Sequence, residues 1–296
     1  MPRTFRFAPS PNGRLHLGHA YSALCNEFYA RQTQGRLLLR MEDIDPSRCK
    51  PEYEADIEAD LAWLGIVLDG AVRRQSEHVA TYAAVLQRLQ SDGLIYPCFC
   101  TRGQIQRNGD GARDPDGAPL HRGRCRAISP EATRARLAAG EIPALRLDVD
   151  AALQGVDNAL FWREFGEGEA ERHVAAAPLD WGDVVLRGKE RAAAYHLAVV
   201  VDDAEQGVTD VVRGRDLFAA TSIHVLLQAR LNLPTPRYRH HRLVIDASGA
   251  KMSKSASSRP LAALREEGYS AADLRGALGF AAVGAARPAL GACAIN

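Results

Sequence analysis

Two histidines three residues apart, His16 and His19, follow the turn Pro9-Ser10-Pro11-Asn12-Gly13 and flank Gly18. Imidazoles at the start of a helix can donate hydrogen bonds to phosphate oxygens. The free N–H groups and partial positive charge of the helix terminus act in the same sense, and glycine lets a backbone come close. A second basic cluster stands near the other end of the chain, Lys251-Met252-Ser253-Lys254-Ser255, preceded by Ser248-Gly249-Ala250. Ammonium groups and hydroxyls on such a loop suit closure over a polyphosphate, where a preorganised donor contributes about 10²–10³ in the rate of phosphoryl transfer. Only four of the 37 Lys and Arg residues are lysines (Lys50, Lys189, Lys251, Lys254), and two of them share this pentapeptide. Taken singly, each pair has a bland counterpart: His-x-x-His as one face of a helix, Lys-x-x-Lys as a solvated loop. The third constellation is Cys98-Phe99-Cys100 with His121 and Cys125. Three thiolates and an imidazole suit tetrahedral zinc. With four protein ligands such an ion staples a poorly cored module and has no open position for catalysis. Simple burial of the thiols is the competing reading.

Strands alternating with helices would position these groups. Thr4–Ala8 reads as a strand, a helix is expected from about Gly18 to Arg31, and Arg36–Glu42 reads as a second strand. Pro51–Leu64 reads as an acidic helix in which Ile57, Leu61 and Leu64 recur at helical spacing. This alternation predicts an α/β fold with a parallel sheet and helices on both faces. From Tyr96 to about Ala177 the pattern degrades: Gly109-Asp110-Gly111 and Asp114-Pro115-Asp116-Gly117 signal turns, and Leu145–Val149 is a short, isolated strand piece. An irregular inserted module over residues 97–180 is therefore expected between two halves of the sheet, residues 1–96 and 181–246. The second half reads as strands Asp183–Leu186 and Ala194–Val201, a helix from about Leu217 to Leu231 and a strand near Arg242–Ile245. Residues 247–296 hold the lysine loop and two short helices, near Pro260–Glu267 and Ser270–Leu278.

The composition, 46% hydrophobic and 25% charged over 296 residues, is that of a folded globular chain. A formal charge of +1 excludes a bulk-basic binder of nucleic acid or anionic lipid. Between residues 102 and 146, however, nine arginines stand against five acidic residues. That local patch suits RNA phosphates, and a salt-bridged, solvated surface would share its composition. The amino terminus Met1-Pro2-Arg3-Thr4-Phe5-Arg6 lacks an apolar signal core, and the longest apolar run, Leu197–Val201, is too short to span a bilayer. A cytoplasmic protein with no membrane partner is expected. Its six cysteines (25, 49, 98, 100, 125 and 293) are expected to bind metal or remain free thiols.

His16-Leu17-Gly18-His19 and Lys251-Met252-Ser253-Lys254-Ser255, one after the first strand and the other after a late one, resemble the two signatures of the class I aminoacyl-tRNA synthetases. Arg6-Phe7-Ala8-Pro9-Ser10-Pro11-x-Gly13 and Arg40-Met41-Glu42-Asp43-Ile44-Asp45 resemble the glutamyl branch of that family. So do Tyr195-His196-Leu197-Ala198-Val199-Val200-Val201-Asp202-Asp203 and Gly207-Val208-Thr209-Asp210-Val211-Val212-Arg213-Gly214. The resemblance implies a Rossmann-type sheet interrupted by a zinc-stapled connective module, with a short helical C-terminal region, in a monomer that activates L-glutamate with ATP and Mg²⁺. It implies that His16, Gly18, His19, Lys251, Met252, Ser253, Lys254 and Ser255 serve the ATP. Arg6 and Arg213 would hold carboxylate, Glu42 the α-amino group, and Ser10 and Tyr195 would add hydrogen bonds, with Phe7, Ala8 and Pro9 lining the pocket. Those residue types fit a small dianionic amino acid, which needs planar cations for its carboxylates and an anion for its ammonium. Asp202 and Asp203 are expected to hold the strand end and nearby loops in place. One Zn²⁺ would sit on Cys98, Cys100, His121 and Cys125.

Standard members of the branch append a helical anticodon-binding region after the lysine loop, and the 41 residues after Ser255 are too few for one. The chain thus resembles most the truncated members, the glutamyl-queuosine tRNA(Asp) synthetases, which attach glutamate to the queuosine base in the anticodon loop of tRNA(Asp). Gln206–Thr209 and Arg213–Leu217 lean the same way, since the standard enzyme tends to carry Glu where Arg215 stands. An enzyme charging the 3′ end of tRNA(Glu) is an alternative. A non-catalytic paralogue that binds amino acid or tRNA is another, disfavoured by the presence of His16, His19, Lys251 and Lys254.

Overall fold

A computed structural model describes residues 2–156, 160–166, 171–245, 259–280 and 294–295. The first half begins with β1 (Thr4–Phe7), buried along its whole length. A turn leads to α1 (Leu17–Gln32), and the chain returns as β2 (Arg36–Met41), parallel to β1 with Thr4 opposite Arg36 and Phe7 opposite Leu39. In α2 (Pro51–Trp63) proline occupies the first turn, where its missing N–H costs nothing, and Glu52 and Glu54 face the positive end of the helix dipole. β3 (Arg73–Arg74) extends the sheet parallel to β2, and α3 (Val79–Ser91) buries Tyr82, Leu86 and Leu89.

The middle of the chain comprises β4 (Ile95–Cys98), α4 (Arg102–Asn108), α5 (Pro130–Ala138), β5 (Ala144–Leu147), α6 (Val149–Leu153), β6 (Phe161–Glu164), β7 (Arg172–Ala175) and β8 (Val185–Arg187). The remainder is α7 (Tyr195–Glu205), β9 (Asp210–Gly214), α8 (Thr221–Leu231), β10 (Arg237–His241), β11 (Val244–Ile245), α9 (Leu261–Glu266), α10 (Ala271–Ala277) and β12 (Ala294–Ile295). Among the described residues no helix is long and apolar enough to cross a membrane.

β9 and β10 are parallel, and the Thr209 N–H donates to the Thr4 carbonyl at 3.0 Å, which brings β9 alongside β1. Successive strands thus spread outward from the β1–β9 junction, β2 and β3 to one side, β10 to the other. A crevice opens at such a switch point, outside the carboxyl ends of the two central strands.

Three expectations are corrected. Ala194–Val201 is not a strand but the start of α7. Leu197 to Val201 are all buried, and a continuous apolar run fits an all-round buried helix as well as a buried strand. Asp183–Leu186 does not rejoin the parallel sheet: β8 pairs antiparallel with β5, Leu145 opposite Arg187. Leu145–Val149 is not isolated, because β5 is the centre of the antiparallel sheet β4-β5-β8. Its partners are too distant in sequence for any local pattern to reveal the pairing. The β6–β7 hairpin joins the edge of β10, Tyr238 opposite Glu164.

Consecutive carboxylates at the end of α7 fasten the layers together. Asp203 accepts from Arg6 Nε at 3.0 Å and from Arg40 Nη1 at 2.7 Å, and Arg40 is fully buried. Asp202 accepts from Arg73, Gln75 and the Tyr82 hydroxyl, each at 2.8 Å. Burial would push the Asp203 carboxyl up, but the charges of Arg6 and Arg40 outweigh it and hold the group below the usual range. Asp203→Asn keeps the shape but removes the nearest anion of two buried guanidiniums, leaving Arg40 only its longer contacts with Glu42 at 3.4 Å and Asp202 at 3.8 Å. It should cost about 3–5 kcal/mol in equilibrium urea denaturation, and a loss under about 1 kcal/mol would contradict this role.

Candidate active site

The crevice is a cleft of about 410 Å³. Its walls bring together Arg6, Phe7, Ala8, Pro9 and Ser10 from the end of β1, His16, Gly18 and His19 from the start of α1, Glu42 after β2, Tyr195 from α7 and Arg213 from β9. Lys251, Met252, Ser253, Lys254 and Ser255 lie outside the described residues. Beyond them the chain returns to the mouth of this cleft, where the Leu261 N–H donates to the Leu15 carbonyl at 2.8 Å and Pro260 bridges to His16.

The two imidazoles cap their own helix. His16 Nδ1 accepts from the Gly18 N–H at 3.1 Å, and His19 Nδ1 accepts from the His16 N–H at 3.2 Å. The rings lie over one another with centroids 3.9 Å apart. Since each Nδ1 accepts, each neutral ring carries its proton on Nε2, so the network assigns a donor to that position. Gly18 makes this possible, because a Cβ there would stand 2.9 Å from His16 Cε1. The helix terminus therefore presents N–H donors of the kind a phosphate oxygen needs.

Glu42 closes the other wall. Its N–H donates to the Pro9 carbonyl at 2.9 Å, and its own carbonyl accepts from Ser10 Oγ at 2.8 Å, which locks the end of β2 to the turn after β1. Its carboxylate stands 3.4 Å from Arg40. Burial pushes this carboxyl up, opposed by Arg40 and Arg6. An arriving ammonium would favour the ionised form.

Two arginines face the cleft in opposite electrostatic states. Arg6 already has an anion in Asp203. Arg213 is buried, and its hydrogen-bond partners among the described residues are all neutral: Nε donates to His240 Nε2 (3.2 Å), Nη1 to His224 Nδ1 (3.1 Å) and to the Tyr195 hydroxyl (3.4 Å), and Nη2 to Thr221 Oγ1 (2.7 Å) and the Leu217 carbonyl (3.1 Å). None of these five acceptors is a carboxylate, and the Tyr195 contact is the longest. His224, His240 and Thr221 were not legible as site residues. They come from α8 and β10, far apart in sequence, and no spacing pattern marks them.

In the middle of the chain the donor atoms of Cys98, Cys100, His121 and Cys125 lie within 4.8 Å of one another. Cys98 Sγ is 3.5 Å from His121 Nε2, and Cys100 Sγ is 3.3 Å from Cys125 Sγ. The far nitrogen of the imidazole is also held: His121 Nδ1 accepts from the Gly123 N–H at 3.3 Å and lies 3.2 Å from the Tyr96 hydroxyl, which donates to Asp183 at 2.5 Å. Burial pushes the Cys98 thiol up, but a hydrogen bond with His121 and the Arg146 charge bring it down to about 6. Burial and the neighbouring Cys100 thiol push Cys125 up to about 12. Three thiolates cannot coexist here without a cation, and this donor set and spacing fit one tetrahedral ion. Of the basic patch nearby, Arg122, Arg126, Arg134 and Arg136 are paired with Asp110, Asp183, Glu131 and Glu141.

Residues 3–284 match the family described as tRNA synthetases class I (E and Q), catalytic domain, and the chain belongs to that family. It is 44% identical to the glutamyl-Q tRNA(Asp) synthetase of Rhodobacter capsulatus, over 93% of this chain and 99% of that one. It is 37% identical to glutamate–tRNA ligase 2 of Nitrosococcus oceani over 89% of its own length, but covers only 56% of that protein. The crystal structure of a glutamate tRNA ligase from Elizabethkingia meningosepticum in complex with its amino acid shares the fold, with a TM-score of 0.75 at 24% identity, over 94% of this chain and 60% of that one.

Proposed function

We propose that the chain activates L-glutamate with Mg·ATP and transfers it to the queuosine base of tRNA(Asp). The observation that carries the amino-acid half is Arg213, a buried guanidinium facing the cleft with only neutral hydrogen-bond partners among the described residues. A charge so placed favours an anionic ligand, because a carboxylate restores the compensation that burial removed. Glutamate's side-chain carboxylate meets Arg213, its ammonium meets Glu42, and its α-carboxylate points toward the start of α1. There an α-carboxylate oxygen attacks the α-phosphorus of ATP, the bond to the bridging oxygen breaks, and pyrophosphate leaves with the electron pair. His16 and His19 donate from Nε2 to the phosphates, and Lys251 and Lys254 complete the anion site from the loop. Mg²⁺ neutralises phosphate charge when bound. In the second step a hydroxyl of queuosine's cyclopentene diol attacks the acyl carbon and AMP departs, with proximity supplying much of the rate.

The acceptor half is supported by the name of the Rhodobacter capsulatus relative, to which this chain is 44% identical, against 37% for the glutamate–tRNA ligase 2 of Nitrosococcus oceani. Glutamate-dependent ATP–pyrophosphate exchange should proceed without tRNA, and labelled glutamate should pass to tRNA(Asp) only when queuosine is present. Labelling of queuosine-free tRNA(Asp), or of tRNA(Glu) instead, would overturn the acceptor; absence of exchange would overturn the enzyme.

Zinc on Cys98, Cys100, His121 and Cys125 is proposed to be structural. The purified chain should hold one equivalent of zinc by elemental analysis, and Cys125→Ser should lose it. A wild-type chain that is folded and active without metal would contradict that reading.

A further inference from the structure

We infer that His224 and His240 are positioning residues for Arg213: a cradle of neutral histidines fixes the guanidinium and leaves its charge for the ligand, and His224 sets the preference for a side-chain carboxylate over an amide. The specificity part rests on the proposal that glutamate is the amino acid; the cradle itself does not.

A guanidinium can only donate, so its bonds dictate where the protons of its neighbours sit. Nη1 donates to His224 Nδ1, which places the His224 proton on Nε2. That atom lies 3.2 Å from His196 Nδ1 and donates to it, so the order continues outward through α7. On the other side Nε donates to His240 Nε2, which places the His240 proton on Nδ1, 2.9 Å from Glu164 Oε2. Glu164 also accepts from the His240 backbone N–H at 2.8 Å and from Trp162 Nε1 at 3.0 Å. The nearby carboxylate is thereby held on β10 and Trp162, one imidazole away from Arg213. Burial and the Arg213 charge push His224 well below its ordinary value, so it stays neutral.

A neutral acceptor at position 224 is a specific physical choice. An apolar side chain would leave an Nη1 N–H of a buried cation without a partner. A carboxylate would satisfy the N–H and also cancel the charge, and an incoming carboxylate would then gain little. The imidazole satisfies the donor and leaves the charge uncompensated. An acid therefore gains a full Coulomb attraction where its isosteric amide gains a hydrogen bond at most, entering where the 3.4 Å contact with Tyr195 is weakest.

The test compares wild type with His224→Asn, His224→Leu and His224→Asp by ATP–pyrophosphate exchange, with KM values for glutamate, glutamine and ATP. Asparagine offers an oxygen near the place of Nδ1 and should keep the glutamate KM within about threefold, whereas leucine should raise it by about tenfold or more with kcat and the ATP KM little changed. Aspartate should raise it furthest, by about 100-fold, and should shrink the preference for glutamate over glutamine. A normal glutamate KM in His224→Asp, or equal losses on the ATP KM and kcat in all three variants, would overturn the inference. Imidazole ¹H–¹⁵N spectra of the wild-type chain give a readout that needs neither substrate nor a stable variant. His224 should carry its proton on Nε2 and His240 on Nδ1, and the opposite tautomer at either would overturn the cradle. Absence of any glutamate-dependent exchange in wild type would instead overturn the substrate, with the tautomers still deciding the cradle.

Discussion

One carboxylate, Asp203, stands between two buried guanidiniums, and the rest of the cleft depends on that placement. Arg6 comes from β1 and Arg40 from β2, so a single anion at the end of α7 registers both strands of the first half against a helix of the second. Its neighbour Asp202 extends the same grip to Arg73, Gln75 and Tyr82. Since breaking a buried ion pair is strongly destabilising, these bonds hold the two halves of a chain interrupted by a long insertion against each other. Closure sets the carboxyl ends of β1 and β9 side by side and so creates the crevice.

Within it the consequence is an asymmetry between two arginines of the same type. Arg6 is compensated by the scaffold, and among the described residues Arg213 is hydrogen-bonded to neutral atoms alone. The distinction is invisible in composition, because both are arginines in or beside buried strands. It decides which of them attracts an anionic ligand most strongly. The histidine-capped helix terminus lines the same cleft and supplies hydrogen-bond donors suited to an anion, and Glu42 lines it as well.

Much of this was legible in local sequence. His16 and His19 follow the first strand and a proline-glycine turn, and a helix start is a local event, signalled by the residues that form it. The same holds for Glu42, at the end of a strand read from consecutive apolar residues, and for Cys98 and Cys100, one residue apart. What the sequence could not reveal depends on contacts across the fold. Leu197–Val201 reads equally well as a buried strand or a buried helix, and packing on all sides decides the matter. β8 pairs with β5 only because the antiparallel sheet assembles around it. The histidines around Arg213 gather from α7, α8 and β10, and Tyr96 and Asp183 reach His121 from separate strands and turns. Lys251–Ser255 lie outside the described residues, so the lysine loop rests on the sequence pattern alone.

A cleft built around a buried guanidinium with no carboxylate partner among the described residues is expected to take an acid in preference to its amide. Isothermal titration of the full chain with L-glutamate and with L-glutamine, in the same buffer, tests it most directly. One site per chain is expected, with glutamate bound more tightly by about tenfold or more, equivalent to about 1.4 kcal/mol. Equal affinities for the two amino acids would contradict it.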